Sequence, residues 1–450
     1  MNLPHSISLV FSRRLKTFAS GAALALCFAA VALPSRAQNW PAGAEPATLP
    51  VYQLARPDYD PAGVRLGALL LYPAASESLA YDDNIFTSDR RRASDLVNTT
   101  TESLAIGSQW AQHSLKARLF AAQEIYADHG SNNGIVWGAE ASGRADITGE
   151  AFFQLDAGFV QQPLARGTAE AGEDPKRPVF NTTDATASYV QRASRAVNRL
   201  QFSFHDVAYI SARDAARSGT RYTYRDRLSY DLAPDMALFL EGALADQERE
   251  KRANLRNFDL LTGLLGVDVE SPETFQMEVG VGVLRQSYRD SSFETLTTPT
   301  ASERLVWNVL PLTSILAAVD RTVIGTETFC EPSGPCLNPS GGFLPGAPGL
   351  PAERNSLEMT TAELGIQHEF LHDILGEVRA RYERDHFDFN GLTDRTYALR
   401  AGVRYLINRF LEADLEYTYR QRTANLPADR TFNSGPFSEN VIALTLKAGL

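Results

Sequence analysis

The feature that most constrains this chain is a two-residue alternation of apolar and polar side chains, which recurs along most of its length. The alternation is clearest at the C-terminus, where every second residue from Ile442 to Leu450 is apolar, while Thr445 and Lys447 occupy positions between them. An alternation of this length predicts a β-strand whose two faces meet different surroundings. A chain composed of such segments is expected to form sheets.

Other segments indicate what the two faces meet. Between Tyr397 and Ile407, aromatic and aliphatic residues alternate with positions that include Arg400 and Arg404. One face is therefore apolar and the other carries charge. This pattern is typical of an outer-membrane β-barrel, in which apolar side chains face lipid and polar side chains line the interior.

The same alternation predicts about eighteen strands, with a range of roughly 16 to 18. The expected strands begin near Leu66, Val97, Ser114, Val136, Glu150, Thr183, Val197, Thr220, Met236, Leu255, Pro272, Ala301, Thr313, Ser356, Ile374, Arg395, Phe410 and Asn440. Short connections, such as residues 148–149 and 234–235, alternate with long ones, of which residues 163–182, 326–355 and 423–439 are the longest. A soluble β protein would have shorter strands and no such alternation of turn length. We therefore predict an all-β fold: a transmembrane, antiparallel, up-and-down β-barrel with long extracellular loops, short periplasmic turns and both termini in the periplasm.

The first residues predict export. Arg13, Arg14 and Lys16 precede an apolar stretch at residues 18–33, and small residues stand at positions 35 and 37. This arrangement is typical of a cleaved secretory signal peptide. The expected organisation is a signal peptide at residues 1–37, a periplasmic N-terminal extension at residues 38–65 and an outer-membrane barrel at residues 66–450.

Charge excludes one class of partner. The whole chain has a net charge of −11, and the predicted signal peptide holds four basic residues and no acidic ones, so the mature chain would carry −15. Nucleic acid binding requires basic residues that neutralise phosphates, so we expect no nucleic acid partner. The partners that we expect are outer-membrane lipid and lipopolysaccharide.

Two short segments carry a family resemblance. Residues 56–61 read Arg-Pro-Asp-Tyr-Asp-Pro, and residues 81–86 read Tyr-Asp-Asp-Asn-Ile-Phe at the point where the first strand meets the first long loop. With these segments the chain resembles the outer-membrane family called "putative β-barrel porin 2", from about Val51 onward. The resemblance implies a porin-like barrel associated with capsular or exopolysaccharide synthesis systems, with polysaccharide and export-system proteins as further partners. The residues that carry the loop motif are Tyr81, Asp82, Asp83, Asn84 and Phe86.

The alternation also assigns charged side chains to the barrel lumen. Acidic and basic residues on neighbouring strands could pair and shape a constriction or a path for sugars, or they could only keep the wall polar. The lumen-lining candidates are Arg225, Arg227, Glu377, Arg379, Arg381, Glu383, Asp385, Arg400, Arg404, Glu412, Asp414, Glu416 and Arg420.

Residues 368–372 read His-Glu-Phe-Leu-His, which matches the zinc-binding pattern H-E-x-x-H if the segment is helical. The longer metalloprotease pattern fails, because Leu375 stands where a glycine is required and Val378 where a histidine is required. In a barrel the segment would straddle a short turn, with its histidines on different strand ends. No Gly-x-Ser-x-Gly sequence suggests a serine hydrolase either. We therefore expect no enzyme activity, no resident metal and no cofactor.

Two smaller features have structural interpretations. Asp82, Asp83, Asn84 and Asp89 could supply oxygen ligands to calcium, but their spacing is not that of an EF-hand, and a turn capped by its own side chains explains them as well. Cys330 and Cys336 are the two cysteines outside the predicted signal peptide. In an oxidising compartment, a close pair of this kind predicts one disulfide.

Three functional hypotheses follow. The first is a passive conduit or accessory barrel for surface polysaccharide. The second is a structural or docking barrel with a plugged lumen and partner-binding loops. The third is an outer-membrane zinc hydrolase that uses His368, Glu369 and His372.

Overall fold

The computed structural model describes residues 48–167, 176–212, 214–249, 257–291, 293–325, 329–330, 336–337, 356–387, 392–424 and 435–450. The predicted signal peptide lies outside the described residues. Within them, no helix has both the length and the apolar character needed to span a membrane.

Nearly all of the regular structure is β-strand. The strands are β1 (Val64–Leu66), β2 (Leu69–Asp82), β3 (Asp95–Ser108), β4 (Ser114–Tyr126), β5 (Gly134–Thr148), β6 (Ala151–Pro163), β7 (Val179–Ala193), β8 (Ala196–Tyr209), β9 (Gly219–Ala233), β10 (Met236–Arg249), β11 (Phe258–Ser271), β12 (Phe275–Tyr288), β13 (Leu296–Leu310), β14 (Thr313–Gly325), β15 (Phe329–Cys330), β16 (Cys336–Leu337), β17 (Ser356–Leu371), β18 (Ile374–Phe387), β19 (Leu392–Asn408), β20 (Leu411–Ala424) and β21 (Phe437–Gly449).

The main sheet closes on itself. It contains nineteen strands, of which the three-residue β1 pairs only with the first residues of β2, so eighteen form the ring. Each of the eighteen is antiparallel to its neighbour, and β2 completes the ring by pairing with both β3 and β21. The predicted eighteen-strand antiparallel barrel is thus confirmed. All eighteen expected strand starts lie within five residues of the observed ones.

The connections differ at the two ends of the barrel. At one end, which we name the turn end, neighbouring strands are joined by very short links such as residues 149–150, 194–195 and 372–373. At the other end, which we name the loop end, the connections include residues 83–94 and 164–178. Because the ring has an even number of strands, β2 begins and β21 finishes at the turn end.

The side chains follow the predicted alternation. On β21, Leu444 and Leu446 are about half exposed, whereas Thr445 between them is buried and bonds to Ser78 of β2 through their hydroxyls at 2.9 Å. The apolar face is therefore outside and the polar face inside, as expected for a barrel in lipid. The outer face also holds polar groups in places, and there they bond to one another: Glu77 accepts a hydrogen bond of 2.8 Å from the Thr100 hydroxyl.

The loop end is partly covered from within. Leu164 leaves β6 and packs with Phe180, Val207 and Tyr209 in a buried apolar cluster. Three residues later, a Cβ placed on Gly167 would lie 2.9 Å from the ring of Phe437 on β21. Since four strands separate β6 from β21 in the ring, this segment extends inward across part of the mouth.

Candidate functional site

The candidate functional site is the barrel lumen, and its wall is lined by paired charges. On β18, the guanidinium of Arg379 donates to Glu363 of β17 at 2.6 Å and to Glu377 at 2.7 Å. The next inward residue, Arg381, donates to Glu383 at 2.7 Å. Each of these two guanidiniums and three carboxylates therefore has an opposite charge beside it.

The pairing continues around the ring. Arg404 of β19 donates to Asp414 of β20 at 2.8 Å, and Arg400 forms an ion pair with Glu416 on the same two strands. Arg420 donates to Glu439 of β21 at 2.7 Å. On the same two strands, Glu412 of β20 forms an ion pair of 2.8 Å with Lys447 of β21. The lumenal wall is therefore strongly polar, yet its charges largely cancel locally.

A second group of charges lies on the opposite part of the wall. Arg227 of β9 is buried and contacts three carboxylates: Asp268 at 2.9 Å, Glu278 at 3.2 Å and Glu241 at 3.5 Å. Arg225 lies 3.4 Å from the same Glu241. Three carboxylates around one guanidinium offset the cost of burying it.

An aromatic ring supports this second group. The guanidinium of Arg227 lies 3.6 Å from the ring centre of Phe239, which is buried on the inner face of β10. The ring in turn lies against Gly266 of β11, where an added Cβ would be only 2.2 Å from the ring. A glycine is thus required for the ring to lie flat on the wall.

The structure places the thirteen lumen-lining candidates on the inner face of their strands. Asp385 is the most buried of the acidic ones, at 2% exposure. Sequence reasoning missed several of their partners, although these occupy the same face and follow the same alternation. The missed partners are Glu241, Asp268, Glu278, Glu363, Glu439 and Lys447.

An N-terminal segment crosses the lumen at the turn end. We name residues 48–60 the strap. The hydroxyl of Thr48 lies 3.4 Å from the carbonyl oxygen of Ser271 on β11, while β1, just after the strap, pairs with β2. Eight strands separate β2 from β11 on either side of the ring. The strap therefore joins opposite sides of the barrel.

Side chains at the ends of β13, β14 and β17 hold the backbone of the strap. Asn308 donates to the carbonyl oxygen of Leu49 at 3.0 Å, and the amide of Val51 donates to the Ser314 hydroxyl at 2.8 Å. The amide of residue 52 donates to Gln367 at 3.2 Å. Backbone groups of the strap are in this way satisfied by wall side chains.

Arg56 fixes the strap to the wall. Its side chain is 4% exposed and forms a 2.7 Å ion pair with Glu369 of β17. The same guanidinium also donates to the carbonyl oxygens of Val51 and Leu54, each at 3.0 Å. One buried side chain thus folds the strap on itself and attaches it to the barrel.

Tyr52 extends from the strap toward the charged wall. Its ring centre lies 5.3 Å from the guanidinium of Arg404. Burial raises the pKa of the Tyr52 hydroxyl, the Glu377 carboxylate adds to the rise, and Arg404 opposes it. The hydroxyl therefore stays protonated at neutral pH and can both donate and accept hydrogen bonds.

The possible zinc motif does not assemble a metal site in the residues that the structure describes. His368 lies on the outer face of β17 and is 2.9 Å from the Thr313 hydroxyl, whereas His372 lies in the following turn. Glu369 faces inward and is bound to Arg56. No group of three or more potential metal-ligating side chains was found among the described residues. An extended strand places residues four positions apart about 13 Å from each other and neighbouring residues on opposite faces, whereas a helix would align His368 with His372.

The loop motif forms a clasp at the loop end, where it joins the connection after β2 to β21, the last strand of the ring. The carboxylate of Asp83 accepts hydrogen bonds of 2.8 Å from both the backbone and the side-chain amide of Asn440, and it pairs with Arg92 at 2.6 Å. Asn84 is fully buried and donates to the carbonyl oxygen of Ser438 at 2.8 Å. The backbone N–H of Asn84 donates to the carboxylate of Asp82 at 2.8 Å, as expected for a turn capped by its own side chains.

The aromatic end of the motif packs within the loop end. Phe86 makes an edge contact of 5.6 Å between ring centres with His129, and the guanidinium of Arg166 lies 5.0 Å from its ring centre. The connections between β2 and β3, between β4 and β5, and between β6 and β7 therefore meet around the ring of Phe86. The role of the motif in the described residues is to join loops to the wall.

The two cysteines lie in a long connection at the loop end. Cys330 on β15 and Cys336 on β16 are directly opposite each other in an antiparallel pair. Directly opposed strand positions bring Cα atoms about 4.5–5.5 Å apart, which is within the range of disulfides. The disulfide remains a prediction.

The match to a protein family agrees with this architecture. The family model described as "Putative beta-barrel porin 2" matches residues 56–337 and 352–449. No curated protein matched the chain. Among solved structures, OccK2 (OpdF) of Pseudomonas aeruginosa is similar at 9% identity and a TM-score of 0.46, over 86% of this chain and 99% of that one. OpdL of the same organism gives 11% identity and a TM-score of 0.44, with the same two coverages. The siderophore receptor PirA, also from Pseudomonas aeruginosa, gives 10% identity and a TM-score of 0.42, over 84% of this chain and 80% of that one.

Proposed function

The chain belongs to the family described as "Putative beta-barrel porin 2" and is a porin-like outer-membrane β-barrel, and from this premise we propose that it is a passive conduit for a surface polysaccharide. In this proposal the turn end faces the periplasm and the loop end faces outward. The barrel supplies the path, and other proteins of an export system supply the polymer and the energy.

The observation that carries the proposal is the chemistry of the lumenal wall. Arg379 with Glu363 and Arg404 with Asp414 are examples of charges that are already paired across neighbouring strands. A wall of this kind offers many hydrogen-bonding groups but few unpaired charges. A hydrated polymer passing through would therefore make many weak contacts and would not be held at one strong site.

Single-channel recording tests the proposal. We would purify and refold the full chain and a variant without the carboxylate that holds the strap, Glu369→Gln, and record both in a planar bilayer. An acidic exopolysaccharide added to one side should block stable conductance steps, and neutral dextran of similar length serves as the matched polymer. Absence of conductance from both proteins, once heat-modifiable gel mobility has shown that they are folded, would contradict a conduit.

The strap favours a second candidate function. A segment that joins opposite sides of the turn end and contacts β11, β13, β14 and β17 is also what a plugged docking barrel requires. In that case the lumen would stay closed and the loops would bind a partner. The two candidates differ in whether the Glu369→Gln variant conducts.

A further inference from the structure

We propose that the strap is a gate, and that the ion pair between Arg56 and Glu369 is its latch. The inference rests on the proposed conduit, because a gate has meaning only if the lumen conducts. In the closed state, the strap lies across the turn end as the structure shows it. In the open state, its first part leaves the wall while its far end stays attached to β2.

The way in which the strap is attached makes such a movement feasible. Its backbone bonds to side chains, as in the contacts of Val51 with Ser314 and of Leu49 with Asn308. None of these contacts belongs to the backbone ladder that closes the ring, which runs without the strap from β2 through β21. The strap can therefore dissociate while every hydrogen bond between neighbouring barrel strands is retained.

The latch includes a side chain that makes several of the strap's contacts at once. Arg56 joins three acceptors at once: Glu369 of the wall and the carbonyl oxygens of Val51 and Leu54. All three distances are 3.0 Å or less. Hydrogen bonds that involve a charged group are stronger than those between neutral groups. Loss of the Arg56 side chain therefore removes both the contacts that fold the strap on itself and the contact that attaches it to the wall.

A hinge stands between the strap and its fixed end. Gly63, immediately before β1, has a φ of +72°, a conformation that other residues rarely adopt. Its hydrogen atoms lie against Tyr72 of β2, since an added Cβ would be 2.7 Å from that ring. The backbone can rotate at this glycine more freely than at any residue with a side chain.

A reversible crosslink tests the gate directly. In a full-length chain with Cys330→Ser and Cys336→Ser, we would introduce Leu49→Cys and Asn308→Cys, two positions in contact in the closed state. A cleavable bis-methanethiosulfonate reagent would join them, with crosslinking verified by mass. We expect the crosslinked channel to open at least about tenfold less often than the same protein after reduction. The crosslink holds the strap in its closed position, and reduction releases it.

Single substitutions test the latch. Arg56→Gln and Glu369→Gln each leave one buried charge without its partner, so both should raise the open probability about tenfold or more. The double variant should gain less than the sum of the two effects, because the two residues act through one contact. Arg65→Gln is the matched control: it removes a guanidinium from the adjacent exposed β1 and should leave gating unchanged.

The outcomes separate the gate from the conduit. If crosslinked and reduced proteins conduct alike, the strap is no gate, while the conduit stands. If neither conducts, and Arg56→Gln and Glu369→Gln are also silent although folded, the conduit fails and the gate fails with it. If Arg65→Gln opens the channel as strongly as Arg56→Gln, general charge and not the latch controls opening.

Discussion

Among single residues, Asp83 shows how the loop motif contributes to stability. Burial by itself would raise the pKa of its carboxyl group, but hydrogen bonds from Asn440 and the nearby Arg92 outweigh burial, so the pKa lies below its ordinary value. A carboxyl group with a lowered folded-state pKa stabilises the fold above its ordinary pKa of about 4. The stabilisation is lost as the pH falls through the lowered value.

Asp83→Asn tests this linkage. Replacement of the carboxylate by a neutral amide should lower the urea midpoint of unfolding at pH 7, and this difference should shrink as the pH is lowered toward about 2, because protonation removes the charge of the native carboxylate. Asp89→Asn is the control, since Asp89 is an exposed residue in the same loop. An equal difference at both pH values would show that the charge of Asp83 has no part in the clasp.

At the scale of the strand, the inner wall depends on how side chains of one strand lie on the next. Phe239 of β10 lies against Gly266 of β11 and Gly280 of β12, and a Cβ on these glycines would be 2.2 Å and 3.1 Å from the ring. The guanidinium of Arg227, which is paired with three carboxylates, lies over the same ring. A methyl group at position 266 would therefore displace both the ring and the charges that rest on it.

Gly266→Ala is expected to destabilise the barrel by about 1–3 kcal/mol, the usual cost of overpacking. Urea unfolding in lipid vesicles measures the change. The control is Gly242→Ala, because no atom lies within 4 Å of a Cβ placed on Gly242 of β10. If both variants were destabilised to the same extent, the effect would come from replacing a glycine and not from the contact between position 266 and the ring of Phe239.

Strands were the part of the fold that sequence could predict best. A period of two is a local property, so it located the strands and assigned Arg379, Arg404 and Asp414 to the inner face, where the structure has them. It could not predict the strap, whose contacts join Arg56 to a residue more than three hundred positions away. It also left residues 368–372 open to a helical interpretation, because a helix would bring His368 and His372 together, whereas in the structure one lies on β17 and the other in the turn that follows.

At the scale of the whole molecule, the even number of ring strands determines which features share a side. The turn end holds the strap, the start of β2 and the end of β21, whereas the loop end holds the clasp of Asp83 and the paired β15 and β16. If the proposed orientation is right, the gate faces the compartment from which a polymer would enter. The clasp and the long loops then face outward.

Site-directed labelling tests this orientation. Asp89→Cys places a thiol in an exposed loop-end segment, and Gly149→Cys places one in a short turn, where the position of Cβ is open. Both are made in a chain with Cys330→Ser and Cys336→Ser. With a polymer-linked maleimide too large to pass the lumen, intact Gram-negative cells should be labelled at position 89 only, and permeabilised cells at both positions. Loops and turns lie at opposite ends of the closed barrel. Labelling of position 149 alone in intact cells would therefore show that the barrel has the opposite orientation, with the gate on the outer surface.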